Sequence, residues 1–197
     1  LVLLAAAARA RIVAPGLRGA MHEGLLRRRG RVVCVLAGRD GVLELGERVL
    51  ERAAQHYRAQ LKGNTRAVGY LKGRGLTGEI AARFGLGYAA DGWHALASAF
   101  AQYDDPLLVE AGLVIHQQEQ GQDEKRYDRF RDRVMFPIRA VSGETVGFGG
   151  RVLDRGEPKY LNSPETPVFV KGRELYGLYE SRAGIRARGH ALVVEGY

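Results

Sequence analysis

The sequence predicts an α+β fold in which helices come first and antiparallel strands follow. Between residues 46 and 62, apolar side chains recur at steps of three and four, the period of a helix with one face against a core, and capping residues predict further helices up to residue 112. After residue 125 the pattern changes to alternation, with Val134, Phe136 and Ile138 on one face of a strand. The run Val-Ser-Gly-Glu at 141–144 then turns the chain into a second strand from Thr145. Segregated helices and antiparallel strands are typical of the α+β class.

The clearest helix is predicted over residues 46–62. Its apolar positions are Leu50, Ala54, Tyr57 and Leu61, which fall on one helical face. We interpret this face as packing against a core, because a stripe of this kind is the usual signature of a core-facing helix.

Four shorter helices are predicted after it, each from capping residues. They span residues 66–71, stopping at Gly73; 79–84, capped by Thr77 and ended by Gly85; 93–100, capped by Asp91; and a segment opened by Asp105 and Pro106 and ended by Gly112.

The second half predicts strands separated by loops. A polar loop is expected over 117–125, a short strand over 168–170, a helix over 174–182 and a final strand over 191–195. Pro137 lacks a donor N–H, so it predicts an edge or bulge position within its strand. The glycines of Gly-Phe-Gly-Gly at 147–150 fit either a bulge or a backbone that approaches a phosphate, and their spacing favours the bulge.

Composition bounds the class of protein and of partner. The 197 residues are 46% hydrophobic, enough for one domain and part of another. Thirty Lys and Arg against 22 Asp and Glu leave a formal charge of +8, which favours acidic partners without choosing between nucleic acid, membrane and acidic protein. Cys34 is the only cysteine, so intrachain disulfides and multi-cysteine zinc sites are excluded and a cytosolic compartment is expected.

The first 43 residues are expected to form a separate, unassigned segment. Residues 32–36 read as one short strand, in which Cys34 is a buried hydrophobe. The break in composition near Gly41 marks either a linker or a stretch translated out of frame. The apolar residues 1–8 are far shorter than the roughly 20 of a membrane helix and lack a basic flank, so neither an anchor nor export is expected.

A series of basic residues in the second half predicts phosphate binding. Arg151, Lys159 and Lys171 flank predicted strands and turns, where three cations can converge on phosphates. Tyr160 can stack on a base and Asn162 lies in a turn-forming run, although both are equally suited to bracing the loop.

Other charged groups give weaker signals. Arg129, Arg131 and Arg133 alternate, so on a strand they would share one face, either paired with carboxylates or extending the phosphate track. The five histidines show no ligand spacing, and we assign them no metal.

Several motifs, in order, give the chain a close resemblance to the RNA-polymerase core of bacterial DNA primases of the DnaG type. The likeness covers roughly three-quarters of the chain, from about residue 50 onward. The matching runs are Tyr-Leu-Lys-Gly-Arg-Gly-Leu at 70–76, Ala-Arg-Phe at 82–84, Tyr-Asp-Arg-Phe-Arg-Asp-Arg-Val-Met-Phe-Pro-Ile at 127–138, Gly-Phe-Gly-Gly-Arg at 147–151, Pro-Lys-Tyr-Leu-Asn-Ser-Pro-Glu-Thr at 158–166, Lys-Gly-Arg-Glu-Leu-Tyr-Gly-Leu-Tyr at 171–179 and Val-Val-Glu-Gly-Tyr at 193–197.

The resemblance implies a domain layout and a site. Residues 44–188 correspond to the N-terminal subdomain of the primase core, and 189–197 to the first strand of the TOPRIM subdomain that follows it. Glu195 then matches the catalytic glutamate, which in the family works beside aspartates that bind Mg²⁺, or Mn²⁺ in its place. No Asp-x-Asp pair follows Glu195 in this sequence, so the polymerising site is expected to be incomplete and the fragment alone inactive. Arg74 joins Arg151, Lys159 and Lys171 in a basic ridge beside that site.

The resemblance also implies an activity. Such a protein synthesises short RNA primers from ribonucleoside triphosphates on single-stranded DNA, and contacts the replicative helicase through a domain not matched here. The family's zinc module needs Cys and His ligands that one cysteine cannot supply. Two alternatives stay open: a module that binds single strands without polymerising, and another TOPRIM enzyme such as a topoisomerase or nuclease.

Overall fold

A four-stranded antiparallel sheet with helices on both faces forms the centre of the computed structural model, which describes residues 4–5, 39–118 and 124–194. This arrangement confirms the predicted α+β class. The helices are α1 (Arg39–Gly63), α2 (Thr65–Gly73), α3 (Gly78–Arg83), α4 (Pro106–Glu110) and α5 (Leu178–Arg188), with a 3₁₀ helix at Ala95–Ser98; the strands are β1 (Leu4–Ala5), β2 (Gly87–Ala89), β3 (Val114–Gln117), β4 (Lys125–Asp128), β5 (Arg133–Arg139), β6 (Thr145–Val152), β7 (Tyr160–Asn162) and β8 (Val193–Val194).

The central sheet has the order β2-β5-β6-β7 and separates two clusters of buried side chains. Met135 of β5 and Phe148 of β6 pack with α1 on one face. Val134 and Phe136, which alternate with Met135 along β5, pack with residues of α2 on the other face. The predicted β5–β6 hairpin is confirmed, and its alternation places β5 between two helical layers.

Helix α1 lies across the sheet and buries the predicted face. Leu50, Ala54, Tyr57 and Leu61 are all 7% exposed or less, which confirms the helical stripe. Full burial of a single Leu side chain contributes about 1.5–3 kcal/mol. α1 begins at Arg39 and runs through the compositional break near Gly41.

Local capping explains why α2, α3 and α4 form where the sequence predicts them. The Asn64 side chain accepts from the Ala67 N–H at the start of α2, and Thr77 accepts from the Ile80 N–H at the start of α3. Asp105 caps α4 in the same way, through the Leu107 N–H. These side chains satisfy N–H groups that the first helical turn leaves without a partner.

The predicted helix over 93–100 is wrong in type and in cap. Within this segment the helical part is the 3₁₀ helix Ala95–Ser98, and Asp91 is exposed and does not cap it. The buried carboxylate of Asp128, from the distant strand β4, accepts instead from the Leu96 N–H at 2.9 Å and from the Tyr103 hydroxyl at 2.6 Å. Burial raises the pKa of Asp128, while these donors act to lower it.

Five strands of the described ranges were not predicted, namely β1, β2, β3, β4 and β7, and two elements were misplaced. β3 and β4 pair antiparallel and flank the predicted polar loop, of which residues 119–123 lie outside the described residues. The predicted strand over 168–170 is absent from the described part, where a single bridge joins Thr166 and Phe169. The helix expected over 174–182 is α5, which begins only at Leu178 because Gly177 precedes it with φ of 80°.

Pro137 and the glycine run show how the sheet tolerates irregular residues. β5 is an interior strand, but β2 pairs only with residues 133–135, so Pro137 lies past the end of β2 and needs no donor on that side. The bulge predicted for the glycine run is wrong in position: residues 147–150 pair in regular register with β5, and the register shift between Ile138 and Arg139 lies before them, near the start of β6. At Gly150 a Cβ atom would lie 3.0 Å from the Phe130 ring, so this glycine serves close packing.

The chain ends contribute one small sheet. β1 pairs in parallel with β8, within the segment 191–195 that was predicted as a strand. Cys34 and the strand predicted over 32–36 lie outside the described residues, as does Glu195. None of the helices in the described ranges combines the length and the apolar character needed to cross a membrane.

Replacing Asp128 with Ala is expected to lower the free energy of unfolding by about 2–4 kcal/mol, because a buried N–H group and a half-buried hydroxyl lose their acceptor. Asp128→Asn keeps an acceptor oxygen and should cost less. Urea denaturation followed by circular dichroism measures both. Asp104→Ala, which removes an exposed carboxylate nearby, is the control. Equal midpoints for the Asp128→Ala and Asp104→Ala proteins would show that the buried carboxylate does not stabilise the fold.

Two glycine substitutions are expected to change stability in opposite directions. A Cβ at Gly87 would lie 2.5 Å from the Tyr57 Cβ, so Gly87→Ala should destabilise by roughly 1–3 kcal/mol through overpacking. Gly69 in α2 has open space around it, so Gly69→Ala should stabilise by about 0.5–1 kcal/mol. Thermal melts of the two proteins check the pair. A stable Gly87→Ala protein would mean that α1 does not pack this closely on β2.

Candidate nucleic-acid interface

Arg151 lies between two tyrosine rings at the centre of a row of alternating cations and aromatics. Its guanidinium carbon is 5.4 Å from the centre of the Tyr70 ring and 5.4 Å from that of Tyr160. At one end of the row, the guanidinium carbon of Arg74 is 5.3 Å from the centre of the Tyr70 ring. At the other end, the Lys159 ammonium is 5.8 Å from the centre of the Tyr160 ring. We call these five residues the cation–tyrosine ladder.

Three elements position the ladder. Arg151 of β6 and Tyr160 of β7 are direct partners in the antiparallel register, and Lys159 precedes Tyr160. Tyr70 lies in α2, and Arg74 is the residue that ends this helix, one turn later. One helical turn brings residues i and i+4 together, so Arg74 reaches the Tyr70 ring.

The exposure of the ladder leaves cations available to an anion. Arg74 and Lys159 are exposed, and Tyr160 is 43% exposed. Arg151 is half-buried, donates a hydrogen bond to the Tyr70 hydroxyl, and has a buried Nε without a partner in the described part of the chain. A guanidinium held between rings keeps its charge and loses little freedom when it binds.

A neighbouring arginine near the start of α2 forms ion pairs with two acidic side chains. Arg66 forms ion pairs with Asp132 and with Asp154, the latter at 3.0 Å, and hydrogen bonds to the Tyr88 hydroxyl. These partners raise the pKa of Arg66, with the Tyr88 hydrogen bond as the largest cause. The two carboxylates are therefore already paired and do not need the ladder cations.

The structure brings together four of the predicted site residues and separates others. Arg74, Arg151, Lys159 and Tyr160 meet in the ladder, and Asn162 lies on the same strand as Tyr160, opposite Gly149. Lys171 is exposed in the turn region before α5, where its N–H donates to Glu165 Oε1. Lys171 is not one of the residues of the ladder, and Glu195 lies beyond the described range.

A second cation–aromatic group was not predicted. Trp93 is 60% exposed, and the guanidinium of Arg131 lies 4.2 Å from its ring centre and 5.1 Å from that of Tyr127. The Asp128 N–H donates to the Trp93 carbonyl at 2.7 Å, which fixes the tryptophan against β4. We call Trp93, Tyr127 and Arg131 the aromatic shelf. From the sequence, Trp93 was assigned only to a helix capped by Asp91, with no binding role.

The expectation that Arg129, Arg131 and Arg133 share one strand face is wrong. Residues 129–132 connect β4 to β5 outside both strands, and Asp132 has a positive φ of 48° that turns the chain. Arg133 is 6% exposed, and burial lowers the pKa of both Arg129 and Arg133. Arg131 differs from both, because its guanidinium lies over the rings of Trp93 and Tyr127.

Comparison with known proteins identifies the family of the chain. Residues 56–182 match the family model for the DNA primase catalytic core, N-terminal domain. The DNA primase of Neisseria meningitidis is 54% identical over 144 residues, which are 73% of this chain and 24% of that protein. This chain therefore spans about a quarter of the length of the curated relatives that it matches.

Two solved structures share the fold. A DnaG primase catalytic domain bound to single-stranded DNA has 42% identity and a TM-score of 0.65, covering 74% of this chain and 46% of that one. The Aquifex aeolicus primase, with its zinc-binding and RNA polymerase domains, has 34% identity and a TM-score of 0.70, covering 85% and 40%. The match of the family model to most of the chain, together with these relatives, shows that the chain belongs to the family of DNA primase catalytic cores, in their N-terminal domain.

Proposed function

We propose that this chain holds single-stranded DNA template and incoming nucleotide in a primase that synthesises short RNA primers. The cation–tyrosine ladder is the observation that carries the proposal. Its cations can neutralise phosphates, while the exposed face of Tyr160 can stack on a base. A basic surface with interleaved aromatic rings is the arrangement by which proteins bind single strands with little sequence preference.

The chemistry proposed for the intact protein is Mg²⁺-dependent nucleotidyl transfer. Within the described ranges no group of three or more His, Cys, Asp or Glu side chains is placed to hold a metal ion, so these residues do not fit a Mg²⁺ or Mn²⁺ site. We therefore derive no step through the metal. Glu195, just after β8, remains the proposed catalytic carboxylate.

The ladder residues have roles that follow from their positions. Arg151, fixed between two rings, is proposed to bind one phosphate in a defined geometry, because its guanidinium is already oriented. Lys159 and Arg74 flank it as exposed point charges, and the proposal adds Lys171 and Asn162 as further contacts to nucleotide or template. These cations would stabilise negative charge during transfer of the nucleotidyl group.

The proposal for the whole protein follows the family. Residues 44–188 form the N-terminal subdomain of the core and 189–197 open the TOPRIM subdomain. The intact primase acts at replication forks in the cytoplasm, uses ribonucleoside triphosphates, carries a zinc module elsewhere and contacts the replicative helicase through another domain. The solved relative bound to single-stranded DNA supports the choice of template.

A second candidate is a single-strand binding module that does not polymerise. The ladder and the aromatic shelf favour it, because both groups are complete within this chain and both are suited to binding rather than to bond making. Primer synthesis by the intact protein that contains this chain distinguishes the two candidates.

Lys159→Ala is expected to weaken binding of oligo(dT) and to reduce the salt dependence, because one phosphate contact is lost. The slope of log affinity against log salt should fall by about 0.7. Fluorescence anisotropy across a salt series measures this slope. Arg186→Ala removes an exposed charge from α5 and should leave the slope near that of the unmodified chain.

In the intact primase, Lys159→Ala should also lower primer synthesis by about tenfold, equivalent to roughly 1.4 kcal/mol of transition-state stabilisation. Equal slopes and equal primer yields for the Lys159→Ala and Arg186→Ala proteins would exclude the ladder from template binding.

Trp93→Ala is expected to weaken oligo(dT) binding by about 5- to 150-fold without changing the salt slope. The loss corresponds to about 1–3 kcal/mol for one stacked base, and stacking releases no counterion. The same anisotropy series checks both numbers, and Trp93→Phe should restore part of the affinity. A Trp93→Ala protein with unchanged affinity would remove the aromatic shelf from the binding surface.

A further inference from the structure

A groove of about 420 Å³ lies where the end of α1 meets α2 and α3, away from the ladder and the aromatic shelf. Its floor is aliphatic: Leu61 and Leu71 are buried, while Val68, Leu76 and Ala81 are partly buried. This volume is within the range of roughly 300–1,000 Å³ that protein ligand sites occupy. The groove is therefore large enough to take several apolar side chains.

The edge of the groove is basic. Lys62, the last basic residue of α1, and Lys72, near the end of α2, are both exposed and line it. Arg58 also lines the groove, but it is ion-paired with Glu51 at 3.1 Å. No carboxylate belongs to the residues that line the groove. Two lysines beside an aliphatic floor favour a ligand that is both apolar and acidic.

Helix α2 separates this groove from the ladder. Val68 and Lys72 are one turn apart and line the groove. Tyr70 and Arg74 are also one turn apart and belong to the ladder. Since successive residues of a helix are rotated by 100°, the two pairs lie on opposite faces of α2. A ligand in the groove and nucleic acid on the ladder can therefore be bound at the same time.

The lining chemistry distinguishes between occupants. No aromatic ring lines the groove, so a nucleobase would find no surface on which to stack. A second copy of the chain is disfavoured by the formal charge of +8 on each copy. An acidic protein segment has complementary charge, and its apolar side chains can fill the floor in the manner of a helix bound in a groove.

We propose that the groove of α1, α2 and α3 binds an acidic segment of a partner protein through two or three apolar anchor side chains. Lys62 and Lys72 contact carboxylates of that segment, and Leu61, Val68 and Leu76 contact its anchors. This site is independent of the proposed template surface and extends the function to recruitment of another protein.

The test uses a panel of labelled amphipathic peptides whose apolar face carries Leu and Phe and whose polar face carries Asp and Glu. Two matched panels replace the acidic residues with Lys or the apolar residues with Ser. Anisotropy titrations with the unmodified chain are expected to show saturable binding for the acidic apolar panel and at least tenfold weaker binding for the other two panels. If none of the acidic apolar peptides binds saturably, the proposal is overturned.

Two double variants of equal net charge locate the site. Lys62→Glu with Lys72→Glu should weaken peptide binding at least tenfold, whereas Arg186→Glu with Arg188→Glu, on exposed positions of α5, should leave it within about twofold. Equal losses in the two proteins would mean that only overall charge matters, and the proposal would fail. Circular dichroism confirms that each variant is folded before titration.

Oligo(dT) separates this proposal from the template surface. A saturating amount of oligo(dT) should not displace the peptide, and Lys159→Ala should leave peptide affinity unchanged. If oligo(dT) displaces the peptide, the groove is a nucleic-acid contact and the inference is wrong. The same conclusion follows if the Lys62→Glu, Lys72→Glu protein keeps peptide binding but loses more oligo(dT) binding than the Arg186→Glu, Arg188→Glu protein. Failure of oligo(dT) binding alone would count against the ladder and leave the groove supported.

Discussion

Close packing of α1 on the central sheet is the constraint on which the rest of the structure depends. Tyr57 lies so near β2 that only glycine fits at Gly87, and Phe148 meets the Tyr57 ring edge-on at 5.4 Å. Because only Asn64 separates α1 from α2, the position of α1 also determines where α2 starts. α2 then carries Tyr70 to Arg151 on one face and lines the groove with the other. The geometry of the ladder and of the groove, the two proposed binding sites on α2, thus depends on a hydrophobic contact.

Both candidate nucleic-acid surfaces hold an arginine in place before it meets a phosphate, which reduces the entropy that the side chain loses on binding. A flexible, solvated arginine binds phosphate with a large loss of side-chain freedom, whereas an arginine held by rings has lost it already. Arg151 between two tyrosines and Arg131 on Trp93 are both held in this way. Arg66 contributes indirectly, because it pairs with Asp132 and Asp154 and so occupies carboxylates that would otherwise attract cations. Positive charge therefore remains available for ligands in a protein that also carries 22 acidic residues.

Strand register decides which of the predicted site residues meet in the cation–tyrosine ladder, and their binding of nucleotide or template stays a prediction. Arg151 and Tyr160 meet because β6 and β7 are antiparallel neighbours, although the sequence placed Tyr160 in a loop and did not predict β7. Lys171 follows β7 through a turn region whose course no local pattern describes, and that region also replaced the strand expected at 168–170. The aromatic shelf escaped prediction because Trp93 was assigned only to a helix capped by Asp91, whereas a hydrogen bond from β4 to its carbonyl joins it to Tyr127 and Arg131.

The sequence by itself determined the positions of helices α1 to α4, though not always their lengths. It also determined the β5–β6 hairpin and the primase family. Caps, apolar stripes and motifs each depend on residues that are close together in the chain, so a local pattern is enough to recognise them. Only the tertiary structure decided which side chains meet. The Arg151–Tyr70 contact joins residues 81 positions apart, and Asp128 caps a 3₁₀ helix 32 positions away, where Asp91 had been expected to act. Such contacts follow from how the helices and strands pack together, and packing is a property of the whole core that no short segment of sequence contains.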